Sequence, residues 1–152
     1  MKRLVMIYHS QSGRTEDIAN SIIRGIGSED LGIDFESCRA LEAGCEQILR
    51  ADGVIFGTPA NFGYMSGILK DFFDRCFYGL EGKVDAMPYS IFVGASTDGV
   101  GAIESVRKIC SGLRLKEVQE PLIIMRHVKE KEHKLCRDFG LAMAMGLETG
   151  IF

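Results

Sequence analysis

The chain has 152 residues, enough for one domain with a core of useful size. Its 46% hydrophobic and 26% charged residues are ordinary for a soluble globular protein, and a formal net charge of −3 gives no field that would draw nucleic acid or an anionic membrane. No apolar stretch is long enough to span a bilayer, and the short run that follows Lys2 and Arg3 stops at His9-Ser10 without a small-residue cleavage site.

Leu4-Val5-Met6-Ile7-Tyr8 is an apolar run without alternation and reads as a buried strand. After Ser10-Gln11-Ser12-Gly13-Arg14-Thr15, the isoleucines 18, 22, 23 and 26 recur at helical spacing, and Gly25 and Gly27 mark the fading end of that helix. Ile33 to Cys38 alternates apolar and polar, as an edge strand does, and a short helix is expected around Glu46 to Arg50. Gly53-Val54-Ile55-Phe56-Gly57 is a third strand, buried on both faces. Leu69, Phe72, Phe73, Cys76 and Phe77 make one apolar helical stripe, with Ser66 as its candidate cap. Tyr89 to Val93 is a fourth strand. Ala102, Val106, Ile109, Cys110 and Leu113 form the next helical stripe. Leu122 to Met125, after Pro121, is a fifth strand, and Leu135, Phe139, Ala142 and Met143 mark the last helix. The five cysteines (38, 45, 76, 110 and 136) form no CxxC pair; they read as reduced thiols of a cytoplasmic protein, with neither disulfide nor metal role.

The order is βαβαβαβαβα over 1–152, with no linker or repeat, which predicts a parallel α/β sheet with helices on both faces and right-handed crossovers. Such a sheet binds ligands beyond the carboxyl ends of its strands. The loops after strands one, three and four meet there. In the first, Ser10, Ser12 and Thr15 supply hydroxyls, Gly13 allows close approach, and the helix N-terminus favours an anion. There is no lysine, and Arg14 is the only cation, free to point to solvent. A plain polar turn with a hydroxyl cap is the alternative. The loop is neither a Walker loop nor a G-x-G-x-x-G turn. A phospho-accepting receiver domain is set aside, because its acidic positions hold His9-Ser10 and Gly57-Thr58-Pro59 here.

In the loop from Gly57 to Met65, Phe62 and Tyr64 offer faces for a planar ring and Asn61 a polar contact, although one of the two aromatics could equally fold into the core. Ser96-Thr97-Asp98-Gly99-Val100-Gly101 is small and polar enough to let backbone approach a ligand. Three such loops in these places suit a flat cofactor with a phosphate tail.

These residues resemble the flavodoxin-like superfamily, whose [ST]-x-[ST]-G-x-T phosphate loop is matched at Ser10, Ser12, Gly13 and Thr15. The nearest likeness is to its WrbA-like and NADPH-dependent FMN reductase branch, through Gly57-Thr58-Pro59, Phe62-Gly63, Met65-Ser66 and the Phe72-Phe73-Asp74 helix, with Gly82-Lys83 similar too. The resemblance implies a three-layer sandwich with five parallel strands in the order 2-1-3-4-5. It implies FMN, its phosphate held across Ser10, Gln11, Ser12, Gly13, Arg14 and Thr15. Thr58, Pro59, Ala60, Asn61, Phe62 and Gly63 would border the isoalloxazine, and Ser96, Thr97, Asp98 and Gly99 its other side and the ribityl chain. The chain lacks the long insertion after the fifth strand that WrbA-like quinone reductases carry. His127 falls near where that branch has a histidine beside the flavin, and is read here as solvent-exposed.

The first functional expectation is an oxidoreductase: NADPH or NADH reduces FMN, which passes electrons to a quinone or similar small acceptor. No side chain is assigned as acid or base, because the cofactor performs the chemistry. The second is an electron carrier of the flavodoxin kind serving a redox protein, and the third a binding module for another phosphate ligand. A homodimer is expected from the family and from the apolar tail, Leu147 to Phe152.

Overall fold

Three central strands carry apolar side chains on both faces, and each is covered on both sides. The computed structural model describes residues 1–152. In chain order the elements are β1 (Lys2–Tyr8), α1 (Arg14–Ile26), β2 (Ile33–Arg39), α2 (Cys45–Leu49), β3 (Gly53–Pro59), α3 (Gly67–Leu80), β4 (Pro88–Ala95), α4 (Val100–Gly112), β5 (Lys116–Glu117), β6 (Leu122–Met125) and α5 (Glu130–Thr149). The sheet is parallel in the order β2-β1-β3-β4-β5, with β6 also on β4. Every residue of β3 is buried, whereas β2 at the edge is only partly covered.

The period of two sorts the core into two layers. Val5, Ile7, Phe56 and Val93 point to α3 and α4, where Leu69, Phe72, Phe73 and Val106 meet them. Leu4, Met6, Ile55 and Phe92 point to the opposite face, against Ile18 and Ile22 of α1 and Met143 of α5. The register aligns Tyr8 with Gly57 and Arg39, and Pro59 with Gly94, so the loops leave one edge of the sheet together. No helix is long and apolar enough to cross a membrane.

Four details extend or differ from the sequence reading. The fifth position of the sheet is shared by two segments. β5 pairs with Pro88 and Tyr89 at the start of β4, and β6 with Phe92 to Ala95 at its end. Pro121, which has no N–H to give a ladder, stands between them. Gly27 caps α1 and Gly25 lies in its last turn, as expected, but Gly25 has a packing role as well: a Cβ there would stand 2.0 Å from the Arg137 carbonyl oxygen. Gly140 meets the Ile22 carbonyl in the same way, at 2.2 Å, so the two glycines let α1 and α5 cross backbone to backbone. The buried face of α5 is therefore turned: Cys136, Phe139, Gly140, Met143 and Leu147 are inside, and Leu135 and Ala142 are exposed.

The C-terminal tail also differs. Leu147 is buried in its own core, and the Phe152 ring lies on Gly146, with the Phe152 N–H donating to the Gly146 carbonyl at 3.3 Å. Of the apolar residues in the tail, Ile151 is the exposed one. Burial pushes the thiols of Cys38 and Cys76 up to about 12 and that of Cys136 to about 11, which disfavours their thiolate forms.

Candidate functional site

Gly13 is the N-cap of α1, with φ at +95°, a left-handed value that side chains resist. Its turn faces the first amides of the helix toward the end of β1. Ser10 Oγ accepts from the N–H groups of Gly13, at 3.2 Å, and Glu16, at 3.1 Å. The N–H groups of Gln11, Ser12, Arg14 and Thr15 find no acceptor in the protein. Those four free donors sit where the dipole of α1 is positive, the arrangement that accepts a phosphate. Thr15 is buried, its hydroxyl beside Gly94, while Ser12 is exposed at the mouth.

Arg14 does not point to solvent. Its guanidinium donates to the Ser96 hydroxyl and to the Arg126 carbonyl, both at 3.3 Å. It thereby ties the loops after β1, β4 and β6 together. Arg126 is itself left-handed, at φ +60°, and its N–H donates to the Ala95 carbonyl at 2.8 Å. An open cleft of about 600 Å³ runs from Ser12 and Gly13 along Glu16 and Asp17 to Arg126 and His127. His127 is exposed on its wall.

The loop after β3 is a tight reversal. Asn61 and Tyr64 exchange backbone hydrogen bonds at 2.8 and 3.0 Å, and Phe62 and Gly63 between them both have positive φ, +53° and +69°. Neither aromatic enters the core: Phe62 is 108% exposed and Tyr64 43%. The buried member of this loop is Met65, whose N–H donates to Ser105 Oγ at 3.0 Å. Thr58 is wholly buried. Its hydroxyl donates to the Pro59 carbonyl at 2.8 Å and accepts from the Ser66 N–H at 2.9 Å. That side chain shapes the loop from inside. The Asn61 amide donates to Gln11 Oε1 at 3.3 Å, joining this loop to the mouth of α1, and the Ala60 N–H donates to the Gly94 carbonyl at 3.0 Å.

The loop after β4 supplies the opposite wall. Ser96, Thr97 and Asp98 are exposed and their N–H groups have no acceptor, while Asp98 Oδ1 accepts from Val100 at 2.8 Å. Gly99 is buried against Val93 and Ile123 and serves packing. Gly101 is the joint between the two walls: a Cβ there would stand 2.1 Å from the Gly63 carbonyl oxygen. The sequence reading missed the residues on the far side of the mouth. Arg39, at the end of β2, reaches Glu16 and lies over the Tyr8 ring. His9 has a buried Nδ1 without a partner, and burial first, then Arg39, lowers its pKa.

A family model described as NADPH-dependent FMN reductase matches residues 17–130. The chain belongs to the NADPH-dependent FMN reductase family. The match begins just after the loop that follows β1, so that loop is read from its own geometry. Among curated relatives, an NAD(P)H dehydrogenase (quinone) of Acidithiobacillus ferrooxidans is 30% identical over 122 residues, 66% of this chain and 60% of that protein. A flavodoxin of Aquifex aeolicus is 33% identical over 85 residues, 56% of this chain and 45% of that protein. This family member thus spans about half to three fifths of the length of those relatives. The solved structure of a flavodoxin, WrbA-like protein from Agrobacterium tumefaciens superposes with a TM-score of 0.79 at 17% identity, over 98% of this chain and 99% of that one. The flavodoxin-like fold expected from sequence is thereby shown. A chain of WrbA-like description can also match this one end to end, without a long insertion.

Proposed function

We propose that this family member is an FMN-dependent NAD(P)H oxidoreductase that delivers electrons to a small acceptor of the quinone class. The observation that carries the reading is the set of four free amides at the mouth of α1, backed by two walls whose spacing Gly101 and Gly94 fix. The donor set suits a phosphate monoester held permanently: neutral donors and a helix dipole, with no lysine to stabilise a leaving charge. FMN, when bound, supplies hydride acceptance and electron transfer. The chain's part is to bind and orient. Gln11, Ser12, Arg14 and Thr15 offer their amides to the phosphate, and the Ser10 and Ser12 hydroxyls add donors. Phe62 and Tyr64 offer flat apolar surface on one side, and the free amides of Ser96 to Asp98 offer donors to the polar edge of a ring on the other. Arg14 and Asn61 brace the mouth against both walls.

The NAD(P)H dehydrogenase (quinone) relative and the family description support the donor and the acceptor class. An electron-carrier role is the second reading, favoured by the similarity to a flavodoxin. Purified protein reconstituted with FMN separates the two. Rapid bleaching of the flavin band by NADPH or NADH alone, with steady turnover on a quinone panel, supports the enzyme. Bleaching only through an added reductase supports the carrier. Failure to retain any flavin defeats both.

A further inference from the structure

The first turn of α1 carries Glu16 and Asp17 at the same end that faces the phosphate mouth. Acids there suit an empty helix terminus, but they repel a bound dianion. Glu16 is the closer problem, because its own N–H is one of the donors at the mouth, 3.1 Å from Ser10 Oγ. Glu16 lines the same cleft as Ser12 and Gly13, and its carboxylate is not left alone there. It turns sideways to the Arg39 guanidinium, 2.5 Å away, at the carboxyl end of β2. Arg39 is in turn held over the Tyr8 ring, 5.0 Å from its centroid, and Tyr8 is its register partner across the sheet. The ion pair is two-fifths exposed on each side, 40% and 41%, and such pairs add little to stability. Its geometry therefore calls for another account.

We propose that Arg39 is a positioning residue for anion binding: it holds the Glu16 carboxylate at the side of the phosphate mouth and cancels its charge. The dianion then meets the α1 terminus with one fewer negative neighbour. Asp17 lines the same cleft as Glu16, beside Arg14 and Arg126, but only Glu16 is paired with an arginine that stands outside that cleft. This inference rests on the reading that the mouth holds the phosphate of FMN.

The test compares FMN with riboflavin, which lacks the phosphate, by flavin fluorescence titration of Arg39→Gln, Arg39→Lys and the double variant Glu16→Gln/Arg39→Gln. In Arg39→Gln, FMN affinity is expected to fall about five- to tenfold at low salt, and the deficit to shrink as salt rises. Riboflavin affinity and the melting temperature should hold. Arg39→Lys should keep most of the FMN affinity, and the double variant should restore it, because the repelling charge is gone. The proposal is overturned if Arg39→Gln leaves FMN affinity unchanged, if riboflavin weakens equally, or if the double variant fails to recover. A wild-type protein with no preference for FMN over riboflavin overturns the phosphate reading itself, and this inference with it. Wild-type preference with an indifferent Arg39→Gln overturns only the inference.

Discussion

The loop after β1 and the loop after β3 leave the same edge of the sheet and face each other across it, linked by the contact between Asn61 and Gln11. The first is small and polar; Ser10 satisfies two of its amides and four more stand free. Its one left-handed residue is a glycine, which meets that geometry at little cost. The second puts Phe62 in a left-handed conformation, costing on the order of 1 kcal/mol or more, and leaves its ring wholly in water. A buried cluster beneath it, Thr58, Met65, Ser66 and Ser105, holds the turn in that shape. One loop is ready for charge before any ligand arrives; the other keeps an apolar surface displayed against its own preference. The difference suits a ligand with an anionic tail and a flat apolar ring.

Four perturbations break or sharpen that contrast. The largest effect is expected from Gly13→Val. A Cβ there meets nothing within 4 Å, so the harm is conformational: the turn must leave φ +95° and the amides lose their aim. FMN affinity should fall about a hundredfold or more, the weight of several charge-assisted hydrogen bonds. Riboflavin affinity and the circular dichroism of the sheet should be retained. Next is Gly101→Ala, whose methyl group would collide with the Gly63 carbonyl and push the aromatic turn off α4. FMN and riboflavin titrations should weaken together, by about tenfold. Phe62→Gly should weaken both flavins a few-fold, while thermal unfolding shows a gain of about 1 kcal/mol from relief of the left-handed strain. A Phe62 that mattered only to folding would show no flavin effect.

The smallest effect concerns His9. Its pKa is lowered in the folded protein, by burial and then by Arg39, so the unfolded chain takes up the proton first as pH falls. The contribution is intact above the ordinary imidazole value and is lost as pH drops through the lowered one. His9→Gln should therefore flatten the decline of melting temperature between about pH 7 and 5.

What the sequence made legible follows from local rules. Apolar runs without alternation announced β1, β3 and β4, and the stripe from Leu69 to Phe77 with its Ser66 cap announced α3; Ser66 Oγ does accept from Leu69 N–H, at 3.2 Å. The glycine and hydroxyl pattern of residues 10–15 pointed to the α1 terminus, where the structure has unbonded amides, for the same reason, since such turn chemistry is short-range. The missed features depend on distant partners. Nothing near Arg39 says that it will meet Glu16, because that pairing exists only once β2 lies beside β1. A two-residue strand such as β5 is too short to carry a period. Gly25 marks the end of α1, but its close contact with the backbone of α5 is visible only once the two helices cross. Phe62 and Tyr64 could have filled the core by hydrophobicity alone; the Asn61–Tyr64 pairing turns both outward.

The claim on which this account turns is that the free amides of α1 hold the ligand's phosphate. Uniformly ¹⁵N-labelled protein titrated with FMN, and separately with riboflavin, reads those amides one by one. FMN should shift the signals of Gln11, Ser12, Arg14 and Thr15 strongly, and riboflavin should leave these four nearly in place while moving those of Asn61 to Tyr64. If FMN binds and the four amides stay where they are in the free protein, the phosphate is held elsewhere and the account is wrong.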